Sequence, residues 1–286
     1  MLEFWSAAAT SALARNAALA ALLTSIACGV MGTYVVVRRI SYIAAAIAHC
    51  VLAGLGAAVY LNRVHGWAFL QPIHGAVAAA VLAAIIIGWT TLRAGEREDT
   101  VIGAVWATGM AAGILFIHQT PGYHEELMSY LFGNILLVST TDLWITLALD
   151  VLIVALVFVC YDRFQAVCFD EEFARLRNVH VDAYYLLLLI LTALTVVLLS
   201  LVVGIVMVIA LLTLPAAIAS RWSGSLARTM AAACVLCALF SFAGLSISYA
   251  PDLPPGPVII VIAGAAYFLT MTVHRLRQRS SRPVKS

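Results

Sequence analysis

Two titratable side chains lie where the sequence is otherwise apolar. His49 sits in RRISYIAAAIAHCVL (38–52), with no acid and no second imidazole within a helical turn of it. Asp150 sits in TTDLWITLALDVLIVALVF (140–158). A carboxylate at the centre of a membrane helix costs roughly 2.5–3.5 kcal/mol, so an intramembrane ionisable group points to function by default. Imidazole and carboxylate are donors that suit zinc, manganese or iron alike. Two or three such ligands completed by water would release an ion more readily than a closed four-ligand zinc site. The residues alone leave another reading open. The imidazole can be satisfied by a backbone carbonyl, and the carboxylate by Ser or Thr on a neighbouring helix.

Further candidate ligands gather at the other ends of the apolar runs: His65, His74, His118, His124, Glu125, Glu126, Asp142 and Asp252. His74 and His118 fall at or just inside those ends, where they could receive an ion. No pair has tight metal-site spacing, and the HEE at 124–126 would point its members to different helix faces. Surface loop residues are the plainer reading of the group, and His180 and His274 read as solvated. CVLC (234–237) has the CxxC spacing but lies on an apolar helix without a second ligand pair. It and the other cysteines (Cys28, Cys50, Cys160, Cys168) read as packing residues. A phosphate-binding P-loop needs a lysine. The only lysine is Lys285, in the terminal tail, so any ATP must be bound by a partner.

The elements that position these residues follow from composition. The 286 residues are 64% hydrophobic and 10% charged, with a mean hydropathy of +1.03. A soluble domain averages about 25% charged residues. This is an all-α, polytopic transmembrane helix bundle in one domain, 1–286. A segment 1–16 precedes the first span and a basic tail, 275–286, follows the last. No cleaved leader is expected, because no basic residue precedes Arg15 and no apolar core precedes the small residues. A span takes about 20 apolar residues. On that scale nine are expected, at 17–37, 42–61, 68–92, 101–118, 143–161, 183–200, 204–220, 229–249 and 257–273. The break at Gly204 is the weakest, and eight spans with one broken helix is the alternative.

Short cytoplasmic loops carry the basic residues. With the tail inside, alternation leaves only Arg15 and Arg63 of the 16 Lys and Arg residues outside. The N-terminus is therefore expected outside and the C-terminus inside. GMAAG (109–113) has the small-xxx-small spacing of close helix packing, here expected within the chain.

The longest inside loop holds FDEEFARLRNV (169–179). Asp170, Glu171 and Glu172 open a short helix and Arg175 and Arg177 close it, as the helix dipole favours. Phe173 and Leu176, three residues apart, share a face with Ala174 between them. That helix either caps the loop or docks a partner. A second charged loop, RAGEREDTVIG (93–103), carries Glu98 and Asp99 into the fourth span, with Asp99 expected as helix cap.

Taken in order, RRISYIAAAIAHCVLAGLGAA, EREDTVIGAVWATGMAAGILF, SYLFGNILLVSTTDL, FDEEFARLRNV, VVGIVMVIALLTLPAAIA and SYAPDLPPG resemble the permeases of bacterial ABC importers for zinc, manganese and iron. The resemblance covers about residues 15–273. It implies a channel-forming subunit of a bacterial cytoplasmic (inner) membrane that is not itself an enzyme. It also implies a second permease copy, forming a homodimer, and two ATPase subunits docked through Asp170, Glu171, Glu172, Phe173, Ala174, Arg175 and Leu176. Glu98 and Asp99 would make a secondary contact. An extracytoplasmic metal-binding protein would deliver the ion; no permanently bound cofactor and no nucleic-acid partner are implied. The transported ion would pass His49, Asp150, His74 and His118, with zinc expected first and manganese or iron next. The resemblance tips His49 toward a transit role. Similar permeases commonly carry an Asp four residues before that His; here the position is Ala45, so the station is weakened or its carboxylate comes from another helix. Asn178 stands where Gly is often found, and Asn tolerates the left-handed backbone that a turn would need there. Rival classes are a siderophore or vitamin B12 permease, a secondary transporter moving protons through His49 and Asp150, and a membrane scaffold.

Overall fold

The computed structural model describes residues 4–5, 10–67, 69–94, 97–121, 133 and 135–280. Among them there is no strand. The helices are α1 (Ala12–Val37), α2 (Ser41–His65), α3 (Pro72–Trp89), α4 (Glu98–Gln119), α5 (Thr140–Val159), α6 (Tyr161–Phe169), α7 (Glu171–Leu176), α8 (Val181–Val203), α9 (Ile205–Ala219), α10 (Leu226–Tyr249) and α11 (Pro255–Ser280). Eight are long and apolar enough to cross a membrane; α9 is apolar but shorter, with 15 residues. Several expected ends shift. α1 starts at Ala12, and α11 runs on into the basic segment as far as Ser280.

The α8–α9 break falls at Gly204, whose φ of 86° and ψ of 154° lie where a side chain is strained. A Cβ on Gly133, in the segment before α5, would meet the Val203 carbonyl carbon at 2.2 Å. The junction thus lies at the end of the bundle where α5 begins. The other end of α9 brings Ala217 to a pocket shared with Arg39, at the end where α1 finishes. α9 therefore returns through the bundle instead of extending α8.

α1, α2 and α8 form the interior. The apolar stretch of α2 is 78% buried, against 17% for α4 and for α11. Close approach of backbones explains how α2 is enclosed. A Cβ on Gly54 would lie 2.0 Å from the Gly75 carbonyl oxygen of α3, and one on Gly113 would lie 2.7 Å from the Leu52 carbonyl carbon. The small residues of GMAAG thus serve packing of α4 on α2 within the chain, as expected. Cys50 adds a bond across the same seam, its Sγ donating to the Val105 carbonyl at 3.2 Å.

Candidate functional site

His49 lies on the enclosed helix α2, one turn after Ala45. Its ring is half-buried and stacks on Trp106 of α4, with centroids 4.6 Å apart and planes 15° apart. Its Nδ1 is buried without a hydrogen-bond partner. The backbone carbonyl that would make this an ordinary packed imidazole is therefore absent at that nitrogen. Ala45 and Trp106 line one open pocket of about 580 Å³ together with Ile209 and Thr213 of α9, Tyr267 of α11 and Arg39. Among the described residues no carboxylate lines it. The acid missing at position 45 is not replaced from any helix around this pocket.

Asp150 is 3% exposed in the middle of α5, and neither carboxylate oxygen has a hydrogen-bond partner. Ser and Thr hydroxyls of α1 do not serve it, because Thr24 and Ser25 donate to the carbonyls of Ala20 and Ala21. The neighbours within electrostatic reach are the thiols of Cys28 on α1 and Cys234 on α10. Asp150 also lines a groove of about 440 Å³ with Leu23, Ile26 and Val154. No hydrogen bond joins it to His49, which packs against α4 instead. Among the described residues no group of three or more His, Cys, Asp and Glu could hold a metal ion. All six cysteines are free thiols.

At the end where α5 begins, helix caps occupy two of the expected ligands. The His74 Nδ1 accepts from the Gln71 backbone N–H at 3.2 Å, within a reciprocal capping box. Neutral imidazole offers one lone pair. Ligation through Nε2 would place the proton on Nδ1 and forfeit this bond. Asp142 accepts from the Ser139 N–H at 3.0 Å and from its hydroxyl at 2.6 Å, capping α5. His65 and His118 are exposed near the ends of α2 and α4. His124, Glu125 and Glu126 lie outside the described residues.

The opposite end carries α7. Asp170 caps it, its Oδ1 accepting from the Phe173 N–H at 2.9 Å, and Glu171 and Glu172 fill the first turn. Ala174 is buried while Phe173 and Leu176 are 49% and 83% exposed, so α7 stands on a small foot and shows an apolar face. Its C-terminus is a Schellman turn. Asn178 and Val179 donate to the carbonyls of Arg175 and Ala174, both at 3.0 Å, with Asn178 left-handed at φ 56°. Asn thus performs the turn expected of Gly. Arg175 pairs with Asp182 at 2.7 Å. Glu98 opens α4 with Arg97 as its cap; Asp99 is in the first turn, not at the cap as expected.

Arg38, at the end of α1, forms an ion pair with Glu171 and lies over the Tyr185 ring, 5.3 Å from its centroid. Sequence reasoning used Arg38 only to orient the chain and passed over Trp106. The doublet Arg38–Arg39 was a visible signal, whereas a stack between residues 57 positions apart has no local signature.

Among the described residues, eight helices long and apolar enough to cross a membrane define a multi-pass helical membrane protein. The chain matches the ABC 3 transport family over residues 10–274 and belongs to it. It is 43% identical over 257 residues to a probable metal transport system membrane protein of Chlamydia trachomatis, covering 90% of this chain and 87% of that one. It is 32% identical to the manganese transport system membrane protein MntC of Halalkalibacterium halodurans, covering 89% and 85%. The solved structure of PsaBC from Streptococcus pneumoniae in complex with Fab matches with a TM-score of 0.84 at 30% identity, covering 94% of this chain and 95% of that one.

Proposed function

We propose that this chain is the channel-forming permease of an ATP-driven importer of divalent first-row metal ions. The observation that carries the proposal is the match to metal transport membrane proteins along nearly the whole of both chains, through α1 to α11. ATP is bound by partner subunits that seat on the exposed Phe173 and Leu176 of α7, at the cytoplasmic end, with Glu98 and Asp99 beside them. An extracytoplasmic metal-binding protein delivers the ion at the other end, where His74 and His118 stand. A second permease copy completes the channel.

His49 is the first transit ligand. Its unpartnered Nδ1, and the pocket that Ala45 and the stacked Trp106 share with α9 and α11, support that role. Asp150 is a second transit residue facing α1 and α10; its two unpartnered oxygens are the support. Manganese is the first cargo to test, because relatives carry that metal in their names, although zinc was expected first. Ligand chemistry pulls the other way, since Ala45 removes a hard oxygen donor. A proton relay through His49 and Asp150 gains no support, as no hydrogen bond links them.

Cellular manganese, zinc and iron measured by elemental mass spectrometry under metal limitation test the reading. A strain lacking this chain should lose one of the three metals, and the native chain should restore it. Unchanged metal content in the deletion strain would refute it.

A further inference from the structure

Arg38 and Arg39, in the α1–α2 turn, stand beside two cavities, and Arg39 lines both. Three residues, Arg38, Arg39 and Ile40, connect the helices. The turn is a Schellman motif. Arg39 donates to the Val36 carbonyl at 3.2 Å and Ile40 to the Val35 carbonyl at 2.9 Å. Arg39 holds the left-handed position at φ 62°, where glycine is usual. A non-glycine residue in that narrow well makes the link stiff.

Arg38 reaches Glu171, the first residue of α7, and faces a cavity of about 360 Å³ with Glu98 and Tyr185. Arg39 lines that cavity and also the pocket that holds Ala45 and Trp106, the ring against which His49 stacks. The turn leads directly into α2, so the chain itself ties it to the helix that carries His49. We infer that Arg38 is a positioning residue of the transport cycle, carrying displacement of α7 to the α1–α2 turn and so to His49. The inference rests on the proposed docking of an ATPase at α7.

The ion pair is partly exposed, at 23% and 40% for its two side chains, and such pairs contribute little to the stability of a fold. Its value lies in joining two elements that move. Arg38 bears on Glu171 directly and on Tyr185 of α8 through its ring face, so α7 cannot shift without pulling on the turn or breaking the pair. The cavity beside it leaves room for that shift.

The test uses the assembled permease and its ATPase in proteoliposomes, with the delivering protein and manganese, zinc or iron supplied. Native complex that moves no metal would refute the proposed function itself. Given native transport, Arg38→Glu should keep the ATPase bound and hydrolysing, while metal moved per ATP falls at least about fivefold, the lower end of typical coupling between sites. Arg38→Lys, which retains the pair, and the exchanged double variant Arg38→Glu with Glu171→Arg should each recover most of that loss. A smaller loss in Arg38→Glu, release of the ATPase by that variant, or failure of both rescues would overturn the inference. A merely structural arginine would lower the amount of folded complex without changing metal per ATP.

Discussion

His49 and Trp106 lie face to face across the α2–α4 seam, their ring centroids 4.6 Å apart. The stack fixes the imidazole plane while leaving Nδ1 without a partner. A ring held by its face, with a buried nitrogen left unpaired, fits the transit role proposed for it.

Removing the ring should therefore abolish passage without unfolding the bundle. His49→Ala is expected to cut metal uptake by about tenfold or more, with membrane levels of the protein unchanged. Trp106→Ala should weaken uptake less, since an aromatic pair is worth about 0.5–1.5 kcal/mol beyond its burial. Uptake assays paired with immunoblots of the membrane fraction check both. Native uptake by His49→Ala would return the imidazole to a packing role.

Ala45→Asp places a carboxylate four residues before His49, on the same helix face, in the pocket lined by Trp106. The expected result is tighter retention of manganese or zinc on the purified protein, read as metal per chain after gel filtration, with slower release. Unchanged metal content would mean that the two positions do not act on one ion.

Asp150→Asn keeps the shape and removes a buried ionisable group whose oxygens have no hydrogen-bond partner. Leaving a buried polar group unsatisfied costs about 1–3 kcal/mol, and more for a charged one. The variant should melt higher in detergent and transport less, which is the trade expected of a functional group kept at the expense of stability. Higher melting with full transport would remove Asp150 from the pathway.

Gly54→Ala should destabilise by about 1–3 kcal/mol, the usual range for overpacking. Its Cβ would lie 2.0 Å from the Gly75 carbonyl oxygen, so α2 and α3 must separate. A lower melting temperature by fluorescence-detected gel filtration is the expected outcome; unchanged melting would contradict the close contact.

Phe173→Ala with Leu176→Ala should leave the fold intact, because both side chains are largely exposed. Co-purification of the ATPase should fall sharply. Retained association would place the docking surface elsewhere on that end of the bundle.

Much of this architecture is local chemistry and can be read along the chain. Runs of about 20 apolar residues can satisfy their backbone in a bilayer only as helices. That rule is blind to neighbours, and it found the apolar segments from α1 to α11. Asp170 with two glutamates, and Asn178 at a left-handed position, announce α7 because capping involves residues only a few apart. The candidate site is a different matter. Asp150 faces Cys28 and Cys234, and His49 faces Trp106, for reasons of helix rotation that no spacing encodes in an Ala-rich bundle of low amphipathicity. Several ends also escaped, as with Asp99 and Ala12, because turn and cap geometry depends on what packs above it. The sequence by itself determined that this protein is a helical membrane permease with ionisable groups in its spans. Only the tertiary structure decided which helix each of those groups faces, because small residues at a seam allow close contact without naming the partner.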